Sequence, residues 1–151
     1  MFVEYTTTVG VPLAVVEKSL DRVKANLEEW ADTAYREGEA LTARVGPSQV
    51  VARRVRLEIG LAEIHAGGLV YPVHWMVSGA AILFPELEAD LWLTKVGSKK
   101  TRLTLKGTYQ PPLGPLGRLA DRALLGRVAD ATVADWMERL AAAVIADQLL
   151  G

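Results

Sequence analysis

Cysteine is absent from the chain, which excludes disulfides and thiolate chemistry. Histidine is scarce: His65 and His74 are the two present, and without a carboxylate at ligand spacing they make no metal site. No metal and no cofactor are expected. An excess of charge of one sign is also missing, since 17 Lys and Arg face 18 Asp and Glu for a formal charge of −1. That leaves no basic footprint for nucleic acid and no polybasic block for an anionic membrane surface. No apolar run approaches the length of a membrane span, and Met1-Phe2-Val3-Glu4-Tyr5-Thr6 lacks the basic start and apolar core of a signal peptide. The expectation is a soluble cytoplasmic protein with no nucleic-acid partner and no integral membrane association. Paired carboxylates, a Ser/His/Asp set and an HxxxH pair are missing too, so nucleophilic or metal-dependent hydrolysis has no motif to rest on.

What is present is a chain of 151 residues, half of them hydrophobic, enough for one domain over 1–151 with a core that needs no disulfides. Residues 2–9 are rich in β-branched and aromatic side chains and end at Gly10, which predicts a strand. Over 13–35, Val16, Leu20, Val23, Leu27, Trp30 and Ala34 recur three or four apart, with Glu17, Lys18, Asp21, Lys24, Glu28 and Glu29 on the other sides. This predicts one long amphipathic helix, or two shorter ones with a bend near Ser19, stopped by Gly38.

From residue 41 to 109 the period changes to two. Candidate strands cover 41–45, 50–59, 69–78, 87–96 and 101–109, with 61–65 as an extra short one. The short links between them imply antiparallel neighbours, because parallel pairs need long crossovers. Leu87, Ala89, Leu91 and Leu93 share one parity, as do Thr101, Leu103, Leu105, Gly107 and Tyr109. Tyr71, Val73, Trp75 and Val77 continue that dry face, as do Val51, Val55, Leu57 and Ile59, with Arg53 as the odd member. Glu88, Asp90, Arg102 and Lys106 mark the solvated face, where His74 and Trp92 also fall. A tryptophan on a charged face is a candidate homodimer contact, or else lies flat on neighbouring aliphatic stems.

The chain then turns through Pro111-Pro112-Leu113-Gly114-Pro115-Leu116-Gly117 and becomes helical to its end. The turn lacks a GxxxxGK[ST] pattern, and its prolines remove the amide donors that a phosphate cradle uses, so it reads as a stiff reversal. In the helix Leu125, Val128, Ala129, Thr132, Val133, Trp136, Leu140 and Val144 form an apolar stripe, opposite Arg127, Asp130, Ala134, Glu138 and Ala141. Gly126 is a candidate kink.

This order of strand, helical segment, antiparallel meander and long C-terminal helix resembles the helix-grip fold of the SRPBCC (START/Bet v 1-like) superfamily. The residues that carry the resemblance most specifically are Trp30-Ala31-Asp32-Thr33-Ala34-Tyr35-Arg36-Glu37-Gly38-Glu39 and the stretch from Gly107 through the Pro/Gly turn to Asp121. Both are similar to uncharacterised bacterial polyketide cyclase-like members. The resemblance implies an α+β fold, a curved antiparallel sheet wrapped around the last helix, and a largely apolar cavity between them, entered at one end. Members of the superfamily bind sterols, lipids, polyketides and plant hormones, and some cyclise or dehydrate polyketides; the fold does not select among these.

The candidate ligand-binding residues are therefore Arg53, Tyr71, Trp75, Leu91, Leu105, Tyr109, Val128, Thr132 and Trp136. The aromatic four offer area for a planar ligand, but core packing explains them equally. Thr132 on the apolar stripe would hydrogen-bond a ligand or bond back to its own helix. Arg53 would fork onto a carboxylate or phosphate, unless the run Arg53-Arg54-Val55-Arg56 belongs to a bulged or edge strand open to water. Glu37 and Glu39 beside Arg36 form a candidate gate, or a solvated loop. Three functions follow: binding of an apolar or amphipathic small molecule, a polyketide cyclase or dehydratase in the same cavity, and a noncatalytic interaction domain in which Trp75 and Trp136 fill the cavity. No catalytic residue is assigned.

Overall fold

The period-two pattern assigns each strand a dry face, and the computed structural model of the chain builds one sheet from those faces. The structure describes residues 2–43, 52–79, 86–110 and 122–150. In chain order these form β1 (Phe2–Val9), α1 (Leu13–Ala43), β2 (Ala52–Ile59), β3 (Glu63–His65), β4 (Gly68–Gly79), β5 (Glu86–Lys95), β6 (Thr101–Gln110) and α2 (Arg122–Leu150). The sheet is antiparallel throughout, ordered β1-β6-β5-β4-β2, with β3 paired to β4. This is an α+β helix-grip fold: a curved six-stranded sheet gripping a long C-terminal helix. The Pro/Gly turn and the links at 44–51 and 80–85 lie outside the described residues.

The dry parity holds strand by strand. Leu87, Ala89, Leu91 and Leu93 on β5, Leu103, Leu105 and Tyr109 on β6, and Tyr71, Val73 and Trp75 on β4 are all buried in one cluster with residues of both helices. The opposite parity carries exposed Glu86, Glu88, Asp90, Arg102 and Lys106. Asp90 stands opposite Lys106 in the ladder. Arg53 marks a register break in β2, since Ala52 faces Gly79 while Arg54 faces Ser78. That is the bulged edge strand anticipated as the alternative for this run, with β2 at the margin of the sheet.

Two sequence expectations fail at the first helix. Gly38 does not stop it, and residues 41–43 are its last turn rather than the start of a strand, so α1 is one unbroken helix of 31 residues through Ser19 and Gly38. A glycine ends a helix by entering the left-handed region, and the described glycines with positive φ are Gly67 and Gly97. Left in helical geometry, Gly38 costs about 1 kcal/mol relative to alanine. Continuing a helix already nucleated through Glu37, Glu39, Ala40 and Leu41 needs no new nucleus. Residues 44 and 45 lie outside the described residues. Gly126 likewise does not interrupt α2.

The two helices lie antiparallel on the dry face and on one another. Ser19 on α1 donates to Asp147 on α2 at 2.6 Å, and the Arg22 guanidinium reaches the same carboxylate oxygen at 2.8 Å. Further along, the Trp136 indole N–H donates to the Leu27 carbonyl at 3.1 Å. Because α1 covers α2 as well as the sheet does, the buried arc of α2 is wider than a single stripe. Met137 and Ala141 are buried in it, Ala141 contrary to its expected place on the solvated side. At the opposite end of the sheet the buried Thr101 hydroxyl donates to the Val11 carbonyl at 2.7 Å, closing that end.

Gly107 sits where β5 and β6 approach too closely for a side chain. Opposite it stands Ala89, and a Cβ built on Gly107 would lie 2.6 Å from the Ala89 Cβ and closer still to the Glu88 carbonyl oxygen. Relief would require backbone movement in the middle of the sheet. Gly107→Ala is therefore expected to lower the unfolding free energy by about 1–3 kcal/mol, read from urea midpoints by circular dichroism. A midpoint equal to that of the wild type would contradict the close approach.

Candidate functional site

The ladder registers sort the expected ligand residues into rows across the dry face. One row runs Leu57, Trp75, Leu87, Tyr109, and another runs Tyr71, Leu91, Leu105, Tyr5. Four residues separate Trp75 from Tyr71 along β4, about 13 Å of strand, so the candidates do not form one site. The ends Ala52, Gly79, Glu86 and Gln110 lie beyond the Trp75 row. The last turn of α1 and the first turn of α2 point to that same end, because the helices pair Ser19 with Asp147 and Leu27 with Trp136. Every connection at this end leaves the described residues, and the row of Trp75 and Tyr109 lies just inside it.

Trp136 packs into this row. Its ring meets Trp75 edge-on at 6.2 Å between centroids, and both indoles are buried. At this level the two indoles meet between sheet and helix. One helical turn nearer this end, about 6 Å along the axis, is Thr132. It is only 5% exposed, and its hydroxyl has no hydrogen-bond partner among the described residues. The bond back to its own helix that commonly satisfies such a threonine is not made. Thr33 on α1 does make it, to the Glu29 carbonyl at 3.1 Å. A buried hydroxyl without a partner costs roughly 1–3 kcal/mol, so among the described site candidates Thr132 stands out as the buried polar group left incomplete.

The remaining candidates divide plainly. Tyr71, Leu91 and Leu105 are buried deeper, in the row shared with Tyr5. The Tyr5 hydroxyl donates to Glu138 of α2, and that hydrogen bond, then burial and the carboxylate charge, raise its pKa. Burial pushes the Tyr109 phenol up to about 12. Burial also raises Tyr71 to about 12, with the Glu17 and Asp21 carboxylates of α1 adding to it. Both phenols are neutral donors at neutral pH. The side chains of Arg53 and Val128, and those of Arg36, Glu37 and Glu39, lie outside the described set. Buried polar side chains described in the interior include the hydroxyls of Ser19, Thr101 and Thr132 and these phenols; Ser19 bonds the Asp147 carboxylate, and Thr101 the Val11 carbonyl.

The histidines and Trp92 lie on the outer face of the sheet. His65 Nε2 is 3.4 Å from Glu63, and His74 Nε2 is 3.6 Å from Glu86. The Trp92 ring is half-buried, tilted against His65 at 5.5 Å, with the Lys106 ammonium 5.0 Å over it. Its described ring neighbours are thus an imidazole and an ammonium. An open depression of about 680 Å³ on this face is lined by Glu58, Pro72, His74, Glu88, Asp90 and Lys106 among others. It is a solvated, acidic surface, and the described residues contain no group of three or more ligand-type side chains able to hold a metal ion. None of the described helices is long and apolar enough to cross a membrane.

Sequence reading missed the Ser19–Asp147–Arg22 clamp and the Trp136 bond to Leu27. Both join positions more than a hundred residues apart, for which no local pattern exists. The absent partner of Thr132 was likewise beyond periodicity, which places a residue on a face and says nothing of its hydrogen bonds.

Solved structures share this architecture. A conserved protein from Geobacillus kaustophilus is 13% identical over 94% of this chain and 93% of its own, with a TM-score of 0.58. A hypothetical protein from Helicobacter pylori is 12% identical over 94% and 86%, with a TM-score of 0.55. The Zhui aromatase/cyclase from Streptomyces sp. R1128 is 16% identical over 95% and 93%, with a TM-score of 0.49. At these identities the likeness is one of fold. No family model and no curated protein matches the chain.

The two buried phenols set an alkaline limit on the fold. Unfolded tyrosine ionises near 10, whereas Tyr71 and Tyr109 hold their protons to about 12. Above pH 10 the unfolded chain therefore binds fewer protons than the folded one, and stability falls as pH rises. The stabilisation is complete below pH 10 and is lost between about 10 and 12. Urea midpoints measured from pH 8 to 12 are expected to decline across that window, less steeply in Tyr71→Phe and Tyr109→Phe. A decline of the same slope in both variants would refute the assignment.

Proposed function

We propose that the chain binds an apolar or amphipathic small molecule in the sheet–helix interior, at the end beyond Trp75 and Trp136. The observation that carries this reading is the buried hydroxyl of Thr132, without a partner among the described residues and one helical turn from the buried Trp136. Trp75 and Trp136 form the floor of the site, Leu87 and Tyr109 continue its sheet wall, and Thr132 supplies the polar group from α2. The apolar body of the ligand packs against the aromatics, at roughly 25 cal/mol for each Å² removed from water. A carbonyl or hydroxyl on the ligand completes the hydrogen bonding of Thr132. The neutral Tyr109 phenol is a second polar group at the same wall. Since the two indoles close the interior beyond them, the ligand occupies only this end, and Tyr71, Leu91 and Leu105 act as packing beneath it.

The expected effects of Thr132→Val have opposite signs for stability and binding. Removing an unsatisfied buried hydroxyl raises the unfolding free energy of the free protein by about 1 kcal/mol. Losing the ligand's hydrogen bond weakens binding roughly fivefold. The first step is native mass spectrometry of the protein purified from its own host, with extraction of any retained small molecule. Titration of that molecule into wild type and variant then gives the affinities. A protein that retains nothing, or equal affinity in the two proteins, would sink the reading.

A further inference from the structure

The sheet has two margins, and the chain treats them differently. β1 forms one of them, with α2 packed over it. At the other, β2 and β3 lie end to end along β4. Their registers differ by one residue: Gly60 donates to the Pro72 carbonyl at 2.8 Å, while Glu63 stands opposite Val70. Leu61 and Ala62 therefore share the space opposite Tyr71. The β2 part of this margin carries Arg53, Arg54 and Arg56, and charges of one sign along an edge discourage pairing with another strand. The β3 part has no such guard. It reads Leu61-Ala62-Glu63-Ile64-His65-Ala66, with neither Lys, Arg nor Pro, and its two large apolar side chains are the most exposed described in the protein: Ile64 at 88% and Leu61 at 84%.

The hairpin joining β3 to β4 turns through Ala66 and Gly67, with Gly67 at a φ of 91°. A two-residue hairpin closes on a hydrogen-bonded pair, here His65 with Gly68, and such pairs alternate with non-hydrogen-bonded ones. Ile64, opposite Leu69, is thus of the second kind, so its N–H and C=O point away from β4, toward the open margin. Left in water these groups cost nothing, but they are a template for one more strand.

We infer that this margin pairs with the same margin of a second copy of the chain, antiparallel and with the two-fold axis beside Ile64. The charge pattern selects both the occupant and the register. With Ile64 opposite its own counterpart, each Glu63 faces the other copy's His65, and the two apolar side chains meet across the axis. Shifting the axis to residue 63 would oppose two glutamates, and like charges directly opposite destabilise a pair; shifting it to residue 65 would set each Glu63 opposite Gly67 and lose its His65 partner. The Ile64 N–H and C=O of each copy then bond those of the other, and the six-stranded sheets become one continuous sheet. The contact does not involve the interior site, so the two proposals stand or fall separately.

The contact is small, which places it at the weak end of protein–protein interfaces, so the equilibrium is to be read by sedimentation velocity up to about 1 mM chain. The full-length wild type is expected to move from monomer to dimer over that range. Ile64→Lys should weaken the dimer at least about tenfold, since two ammonium groups would then oppose each other. At 88% exposure the change leaves the fold intact, which circular dichroism checks. Because the chain has no cysteine, cross-linking tests the register directly. Oxidised Ile64→Cys should link two chains, the Cα atoms of such a pair standing about 5.5 Å apart. Leu61→Cys should not, because its counterparts would be about 20 Å apart along the strands. A chain that stays monomeric up to the highest concentration overturns the inference and leaves the margin to a strand from another protein. A dimer that tolerates Ile64→Lys, or equal cross-linking at both positions, overturns it as well.

Discussion

The side chain on which the three layers of this protein depend is Trp136. It is fully buried in the middle of α2, its N–H donates to the Leu27 carbonyl of α1, and its ring edge meets Trp75 on β4. One residue thus fixes the distance between the helices and the height of both above the sheet. Polar and apolar requirements are met together, because an indole buried without a partner for its N–H would forfeit much of what its area gains. The Ser19–Asp147–Arg22 clamp repeats the link toward the closed end, where Asp147 is accessible enough that its charge is partly screened. The helices are therefore pinned at two levels.

This pinning divides the interior in two. Below Trp136 the rows of Tyr71, Leu91 and Leu105 pack without polar vacancy, and the Thr101 bond to Val11 seals the far end. Above it, toward the end where the described strands stop, lies the Thr132 hydroxyl of α2, without a partner among the described residues. The two indoles pack at the boundary between these parts, and among the described residues the hydrogen bonding is incomplete on one side of them.

The outer face obeys different rules. Trp92, His65 and Lys106 make a small cluster over the sheet, so even the solvated side carries an organised aromatic group. Its margin at β3 is the place where the chain departs from the common protection of sheet edges by charge. Arginines protect the neighbouring β2 segment, and the bulge at Arg53 disturbs its register. The contrast between the two segments along one margin is what gives the exposed Ile64 meaning, since scattered exposed apolar residues are otherwise ordinary.

The strand faces were legible because a side-chain period of two leaves little freedom: once Leu91 is inside, Ala89 and Leu93 are inside, and neighbours across the ladder follow. The helix-grip order could be read from the same alternation plus the apolar stripe holding Thr132 and Trp136. The end of α1 was not legible, because a glycine such as Gly38 stops a helix only if its backbone turns left-handed, and that depends on where the chain must go next. Ala141 was misplaced because a stripe on one helix does not reveal a second helix lying against it. By itself the sequence determined the antiparallel sheet, its dry face and the identity of the inward residues, all consequences of local periodicity. Only the tertiary structure decided that Trp75 and Trp136 meet, that Tyr71 is remote from Thr132, and that the Thr132 hydroxyl has no partner among the described residues. Those facts depend on which atoms arrive within a few ångströms after the chain has closed on itself, and hydrogen bonds and ring contacts are decided at that range.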